Sequence, residues 1–448
     1  MNTKLLGDFN IYINDGNYGG IYPEKELFQK SGIPFISASD FTGRIFNYNG
    51  IKFIGEDLHF KILKKGQLKI NDIIIVVRGN GIGKVGFFKD HIGECNINAQ
   101  LAFLRTDPEE LDPVYLYYLL SSEKYLSLIK RFGSGSAQPQ LPINRLKQVP
   151  ITYSSLQTQQ KIASILSALD SKIELNNRIN AELEAMAKTL YNYWFVQFDF
   201  PDKNGKPYKT NGGKMVWNEE LKREIPEGWG FGTTSELFSF NPSLSLKQGS
   251  LSSYIDMNSL PLEGFMTKDI RTKEFNGGVK FQNGDLVIAR ITPCLENGKT
   301  GLITLLNDNE IGFGSTEFIV LRGKKMKLSS FAACLSRSEL FRKYAIAKMI
   351  GTSGRKRVDA SALAAFLIAI PDEVLLEKFE STVSLYFEKM TIHTKENQQL
   401  SSLRDWLLPM LMNGQVTVGA KEKVDYQIKE EEIRMAAEPG GETKFMKN

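Results

Sequence analysis

Histidine and cysteine are scarce in this sequence, with three of each among 448 residues. Cys95, Cys294 and Cys334 lie far apart with no Cys-x-x-Cys spacing, so neither a disulfide framework nor a zinc ribbon is encoded, and a reducing, cytoplasmic setting is expected. His59, His91 and His393 are just as scattered. They leave little material for a histidine metal site or a Ser-His-Asp triad, and each is expected to be structural or exposed. Long apolar runs are missing as well. The opening residues lack the apolar core of a signal peptide, and the greasiest stretch, Leu363 to Ile370, is far too short to span a bilayer, so no membrane role is expected. A strong charge of one sign is absent: 56 Lys and Arg against 51 Asp and Glu leave +5, which is compatible with nucleic acid without demanding it.

What is present is a duplication. The apolar positions Ile162, Leu166, Leu169 and Ile173, and again Leu183, Met186 and Leu190, recur three and four apart, which is helical spacing. A shift of 217 positions carries them to Phe379, Val383, Tyr386, Met390, Leu400, Leu403 and Leu407, all large and apolar. The same shift carries Leu101-Ala102-Phe103-Leu104-Arg105 to Phe318-Ile319-Val320-Leu321-Arg322, Leu146 to Leu363 and Asn180 to Asn397. Upstream the register drifts by a few residues, yet Asn71-Asp72-Ile73-Ile74-Ile75 still resembles Gly284-Asp285-Leu286-Val287-Ile288, and Gly83-Lys84-Val85-Gly86 resembles Gly298-Lys299-Thr300-Gly301. The chain is a tandem of one unit, globular part first and long helix second.

Short β-branched and aromatic runs broken by Gly, Asn, Asp and Pro, such as Ile73 to Val77 and Leu286 to Ala289, predict α+β globular parts. Long helices are expected over about Ser155 to Phe195 and Asp372 to Leu408, each with a near-heptad stripe that needs a partner surface. The simplest solution is that they pack on each other, with Asn180 and Asn397 fixing register between them or lying at a wet helix edge. The boundaries follow: globular parts at 1–153 and 226–371, helices at 154–200 and 372–412, a turn-rich linker at 201–225, and a loosely ordered charged tail at 413–448.

Two glycine motifs suggest enzymes, and neither is completed. Gly81-Ile82-Gly83-Lys84-Val85-Gly86 matches the dinucleotide fingerprint, but Phe87-Phe88 and Lys89-Asp90-His91 read as a strand and a turn, where a pyrophosphate site requires a helix. A glycine-rich hairpin is expected instead. Gly298-Lys299-Thr300 ends like a phosphate-binding loop, but Pro293 stands where its first glycine is required. The Asn-Pro-Pro-Tyr or Asp-Pro-Pro-Tyr string of an amino-methyltransferase is also missing, so no catalytic residue, cofactor or metal is expected.

Several strings together resemble the specificity subunits of type I restriction-modification systems. They are Gln159-Gln160-Lys161-Ile162-Ala163 and Tyr193-Trp194-Phe195-Val196 around the central helix, then Gly212-Gly213-Lys214-Met215-Val216-Trp217 and Ile225-Pro226-Glu227-Gly228-Trp229. Asn397, Leu403-Arg404-Asp405-Trp406-Leu407-Leu408-Pro409 and Asn413-Gly414 follow at the far end. The resemblance implies two target-recognition domains, each followed by a long helix, with the two helices packed as an antiparallel coiled-coil spacer. It implies a non-catalytic subunit on double-stranded DNA, each domain reading one half of a split, asymmetric site. Two methyltransferase subunits would clasp the helices and motor-nuclease subunits would join them. A rod of about 40 residues at 1.5 Å each is roughly 60 Å long, against ~35 Å per turn of duplex, so rod length would set the spacing of the half-sites.

On that reading, base contacts need Arg, Asn or Gln, while Lys, Ser and backbone N–H groups position the duplex through phosphates. The polar loops supply Arg78, Asn80, Lys84, Arg131, Ser134, Ser136, Gln138 and Gln140 in the first unit. The second supplies Arg290, Thr292, Lys299, Thr352, Ser353, Arg355, Lys356 and Arg357, the last three reading as a phosphate clamp. For each one singly, the alternative is an ordinary solvated loop residue. Two other functions stay open: an enzyme acting alone through the glycine loop, or a scaffold that recruits partners through its helices without reading DNA.

Overall fold

Ile73–Val76 forms a strand whose four side chains are all buried, but not in one place: Ile73 and Ile75 enter one apolar cluster, Ile74 and Val76 another. A β-branched run without alternation predicts this kind of strand, covered on both faces. The computed structural model describes residues 1–16, 22–42, 45–46, 50–89, 93–133, 139–352, 354–416 and 418. His91 and nearly all of the tail expected from 413 onward lie outside the described residues.

The strand belongs to a four-stranded antiparallel sheet of Ile11–Asp15 (β1), Ile73–Val76 (β2), Val85–Phe87 (β3) and Leu101–Thr106 (β4), in the order β1-β4-β2-β3. The repeat builds it again from Phe238–Phe240 (β5), Leu286–Ala289 (β6), Thr300–Leu302 (β7) and Phe318–Gly323 (β8), in the order β5-β8-β6-β7. Leu286 and Ile288 again enter one cluster, Val287 and Ala289 another. Each copy also carries a second sheet, of three strands in the first and four in the second, with one parallel pairing, Ile36 beside Ile97 and Ile255 beside Gly314. The glycine fingerprint is a hairpin, β2 to β3, as expected.

One ion pair recurs in both copies. Arg105 of β4 holds Asp72 through Nε at 2.7 Å and Nη2 at 2.6 Å, and Arg322 of β8 holds Asp285 through the same two nitrogens at 2.7 Å each. Both aspartates are buried. Burial pushes the Asp72 carboxyl above its ordinary value, against the pull of Arg105. In the other copy the hydrogen bonds to Asp285 hold the Arg322 guanidinium more firmly protonated.

The long helices are Leu156–Tyr191, continuing in a wider turn through Val196, and Glu373–Met412. Their starts are capped: Ser155 Oγ accepts from Thr158 N–H at 3.4 Å, and Asp372 Oδ1 accepts from Leu375 N–H at 2.8 Å. The second helix does not stop before Pro409. Leu408, Leu411 and Met412 are buried around that proline, and this packing outweighs the one backbone bond it forfeits.

The chain divides into two compact units, Met1–Ala168 with Arg404–Asn448, and Leu169–Leu403. Each holds one globular part with segments of both helices. In the second unit the helix segments run antiparallel, since Asn176 meets Asn397, Asn180 meets His393, and the Trp194 ring lies 5.8 Å from that of Phe379. In the first, Ile162, Ala163 and Leu166 share a core with Leu408, Leu411 and Met412. Of the expected stripe, Ile162, Leu166, Phe379, Val383 and Met390 are buried, while Leu169, Ile173, Leu183, Leu190, Tyr386, Leu400 and Leu407 are partly covered. Met186 and Leu403 turn outward, 49% and 43% exposed, and Ala187 takes the inward seat. A 3.6-residue turn drifts off a strict heptad, which rotates those two positions out of the seam.

Asn180 and Asn397 do not meet each other. Asn180 Oδ1 lies 2.9 Å from His393 Nδ1, and Asn397 Oδ1 accepts from Asn176 Nδ2 at 2.9 Å. The shift of 217 that carries Asn180 to Asn397 also carries Asn176 to His393, so the two contacts are copies of one. Burial, then Lys389 and Lys172, hold the His393 pKa below its usual 6.5 against the opposing pull of Glu396. The folded protein therefore favours the neutral ring. This stability is fully present above about pH 6.5 and is lost as pH falls through the lower folded value. The denaturation midpoint of this unit should drop between pH 7.5 and 5.5, and drop less in His393→Asn; an equal drop in both proteins would exclude the histidine as its source.

Residues 201–225, expected as a linker, contain the hairpin of Met215–Asn218 with Arg223–Pro226. Phe200 stacks on Tyr208 at 4.7 Å and on Trp229 at 5.2 Å, so aromatic rings separated by polar turns pin this segment down.

Candidate nucleic-acid interface

Where β2 ends, three segments of chain are tied together by backbone hydrogen bonds. Val77 N–H donates to Gln100 C=O at 2.8 Å, Leu141 N–H to Val77 C=O at 2.8 Å, and Gly79 N–H to Pro139 C=O at 3.0 Å. The second unit repeats each bond at the end of β6: Arg290 N–H to Glu317 C=O at 2.9 Å, Val358 N–H to Arg290 C=O at 3.0 Å, and Thr292 N–H to Lys356 C=O at 3.0 Å. The turn between the strands closes alike in both, by Val76 N–H to Lys84 C=O at 2.9 Å and Ala289 N–H to Lys299 C=O at 3.0 Å. Gly83 and Gly298 take φ of +87° and +81° in these turns, a region that side chains with a Cβ rarely enter.

In the first unit this junction brings together Arg78, Asn80, Lys84 and Gln140. Asn80, Lys84 and Gln140 are exposed, and Arg78 Nη2 stands 3.7 Å from Asp15 Oδ2. Arg131 is exposed in the last turn of the helix Glu123–Phe132, just before Gly133, which lies against the Gln140 carbonyl. Ser134, Ser136 and Gln138, together with Ser353 in the other unit, lie outside the described residues.

In the second unit the junction collects Arg290, Thr292, Lys299, Arg355, Lys356 and Arg357, with Thr352 exposed at its edge. Geometry separates residues that the sequence had grouped. Lys299 is engaged within its own unit, its Nζ donating to Met257 C=O at 2.8 Å. The Thr292 hydroxyl is covered and has no partner among the described residues, so it presents nothing outward. Arg290 is ion-paired with Asp359. Arg357 is held by Glu317, Nε lying 3.0 and 2.9 Å from the two carboxylate oxygens and Nη2 2.7 Å from one of them. That hydrogen bonding holds the Glu317 carboxyl below its ordinary range and pushes Arg357 up, so the pair is charged on both sides. Arg355 and Lys356 are exposed and take part in no ion pair among the described residues. Instead of a three-cation clamp, the loop therefore offers two unneutralised cations and one buttressed arginine.

Sequence reasoning missed the buttresses. Glu317 occupies the position of Gln100 under the 217 shift, so the repeat register was the signal that could have found it. Arg337 was missed as well: its guanidinium donates to the carbonyls of Leu262, Gly264, Gly298 and Thr300 at 2.7, 2.5, 2.5 and 2.9 Å, and burial pushes it down to about 10. It braces the turn that carries Lys299. Among the described residues no cluster of His, Cys, Asp and Glu fit for a metal is found, and no helix is long and apolar enough to cross a membrane.

The family model described as the type I restriction modification DNA specificity domain matches residues 4–185. The specificity subunit of the type I restriction enzyme MjaIX of Methanocaldococcus jannaschii is 27% identical over 420 residues, which cover 89% of this chain and 91% of that one. The HindI specificity subunit of Haemophilus influenzae is 22% identical over 427 residues, covering 80% and 88%. Among solved structures, the S subunit of a type I restriction-modification system from M. genitalium shares the fold, with a TM-score of 0.53 and 19% identity over 92% of this chain and 95% of that one.

Proposed function

We propose, from the premise that the chain belongs to the type I restriction-modification specificity subunits and performs no chemistry itself, that it reads a bipartite, asymmetric DNA site. On this reading it directs methyltransferase and motor-nuclease subunits to that site. The observation that carries the proposal is the junction at the end of β2 and β6, built twice on the same backbone bonds and dressed with different exposed polar side chains. Two readers on one scaffold with unlike side chains suit two unlike half-sites. Large apolar side chains left open on the helices, Leu175, Met186, Leu385, Ile392 and Leu403, support docking of the methyltransferase subunits there. Spacing between the half-sites would follow from helix length.

The test is to express the chain with its methyltransferase subunits and map methylated bases in host DNA. A split motif is expected. The double variant Arg355→Ala, Lys356→Ala should weaken binding to all duplexes alike, by on the order of tenfold to a hundredfold near 0.15 M salt, and reduce the slope of log affinity against log salt by about two. An active complex that methylates without any motif would sink the reading and leave the helix scaffold in its place.

A further inference from the structure

The two junctions share their backbone and differ in their side chains, among them one facing polar pair. Glu317 and Gln100 occupy the same place, each offering its backbone carbonyl to the N–H of the first residue after the central strand, Arg290 and Val77 respectively. Arg357 and Gln140 occupy the other place, bridged to Ile291 and Arg78 respectively. Structural positions around them are kept: Asp72 with Arg105 matches Asp285 with Arg322, and the buried Leu141 matches the buried Val358. A duplicated scaffold that holds its core and its ion pair but exchanges a polar pair at its surface does not need that pair for the shared fold.

We infer that positions 140 and 357 are base-reading positions, Gln140 for an adenine in one half-site and Arg357 for a guanine in the other, with Glu317 the positioning residue that aims Arg357. The inference rests on the proposed DNA-reading function. Glu317 occupies the Nε and Nη2 edge of the guanidinium, while the side chain stays 42% exposed. That grip fixes a long, flexible side chain; Nη1 makes only a long 3.4 Å contact, to Arg355 C=O, and exchanging it lets the terminal Nη1 and Nη2 edge form the two parallel hydrogen bonds that match guanine O6 and N7. Because the carboxylate matches its charge, Arg357 contributes little to sequence-independent attraction for phosphates, a task left to Arg355 and Lys356. The amide of Gln140 carries one donor and one acceptor, the pattern that complements adenine N6 and N7. Gln140 is exposed, and its neighbour Gln100 carries no charge.

The experiment selects bound sequences from a random duplex pool with the full chain in complex with its methyltransferase subunits. It compares wild type with Glu317→Gln, Arg357→Lys and the transplanted pair Gln100→Glu, Gln140→Arg. Glu317→Gln and Arg357→Lys should each lose about tenfold in preference for guanine at one position of one half-site, with the other positions unchanged; the salt slope should hold in Arg357→Lys and steepen by up to about one in Glu317→Gln, which frees the arginine's charge. The transplanted pair should turn one adenine of the other half-site into guanine. A merely structural role for Glu317 would weaken all sequences together and leave the motif intact, which overturns the inference. A wild-type motif that none of the variants alters overturns it too while leaving the proposed function standing, whereas a wild-type complex that selects no motif defeats the proposed function itself.

Discussion

Phe379→Ala should lower the stability of the unit Leu169–Leu403 by about 3–5 kcal/mol. Phe379 is 0% exposed, and its ring lies 5.0 Å from Phe195, 5.8 Å from Trp194, 6.2 Å from Tyr191 and 6.3 Å from Phe331. Four aromatic rings, three of them edge-to-face with Phe379 and one tilted, cannot close over an alanine without abandoning that geometry, so most of the vacated volume stays as a cavity. The measurement is chemical denaturation followed by tryptophan fluorescence, because Trp194 reports from the cavity wall. Ile392→Ala is the matched control: the same helix, but a side chain 63% exposed, with a change near zero expected in the isolated chain. A loss below about 1 kcal/mol for Phe379→Ala would show that this aromatic seam does not hold the helices to the globular part.

Asp285→Ala should cost about 2–4 kcal/mol in the same unit. The carboxylate is 1% exposed, receives two hydrogen bonds from Arg322 and a third from Gln282 N–H at 2.8 Å, and its removal strands a guanidinium three-quarters covered. The remaining exposure of Arg322 lets water reach part of the cation, which places the cost below that of a fully buried pair. Replacing both partners, with Asp285→Leu and Arg322→Met, should recover much of the loss, because no charge is then left without a partner. A double variant as unstable as the sum of the two single ones would show that the residues act independently. Asp72 and Arg105 should behave alike in the first unit, since their hydrogen bonds match atom for atom.

Between them, the duplicated sheet and the paired helices account for most of the fold, and both were legible as periodicity. Continuous apolar runs at Ile73 and Leu286, helical spacing of apolar residues after Ser155 and Asp372, and one shift of 217 positions are signals that do not depend on what lies across the core. The candidate interface was legible only as a set of polar loops. The role of each charge in those loops depends on a partner distant in sequence: Glu317 is 40 residues from Arg357, and Asp359 is 69 from Arg290. Periodicity carries no information about such pairs. Lys299 and Thr292 were grouped with the exposed candidates for the same reason, since side-chain direction within a turn is set by the backbone around it and not by residue type.

The sequence by itself determined that the chain is a tandem of α+β units with long helices, and that its chemistry-bearing residues do not assemble into a catalytic motif, because repetition, hydrophobic period and missing residue types are properties of the string. Only the tertiary structure decided which cations are neutralised, which asparagine meets which partner, and that Met186 and Leu403 leave the seam to Ala187. These outcomes turn on distances of about 3 Å and on rotations of a fraction of a helical turn, and such quantities exist only once segments hundreds of residues apart have been packed against each other.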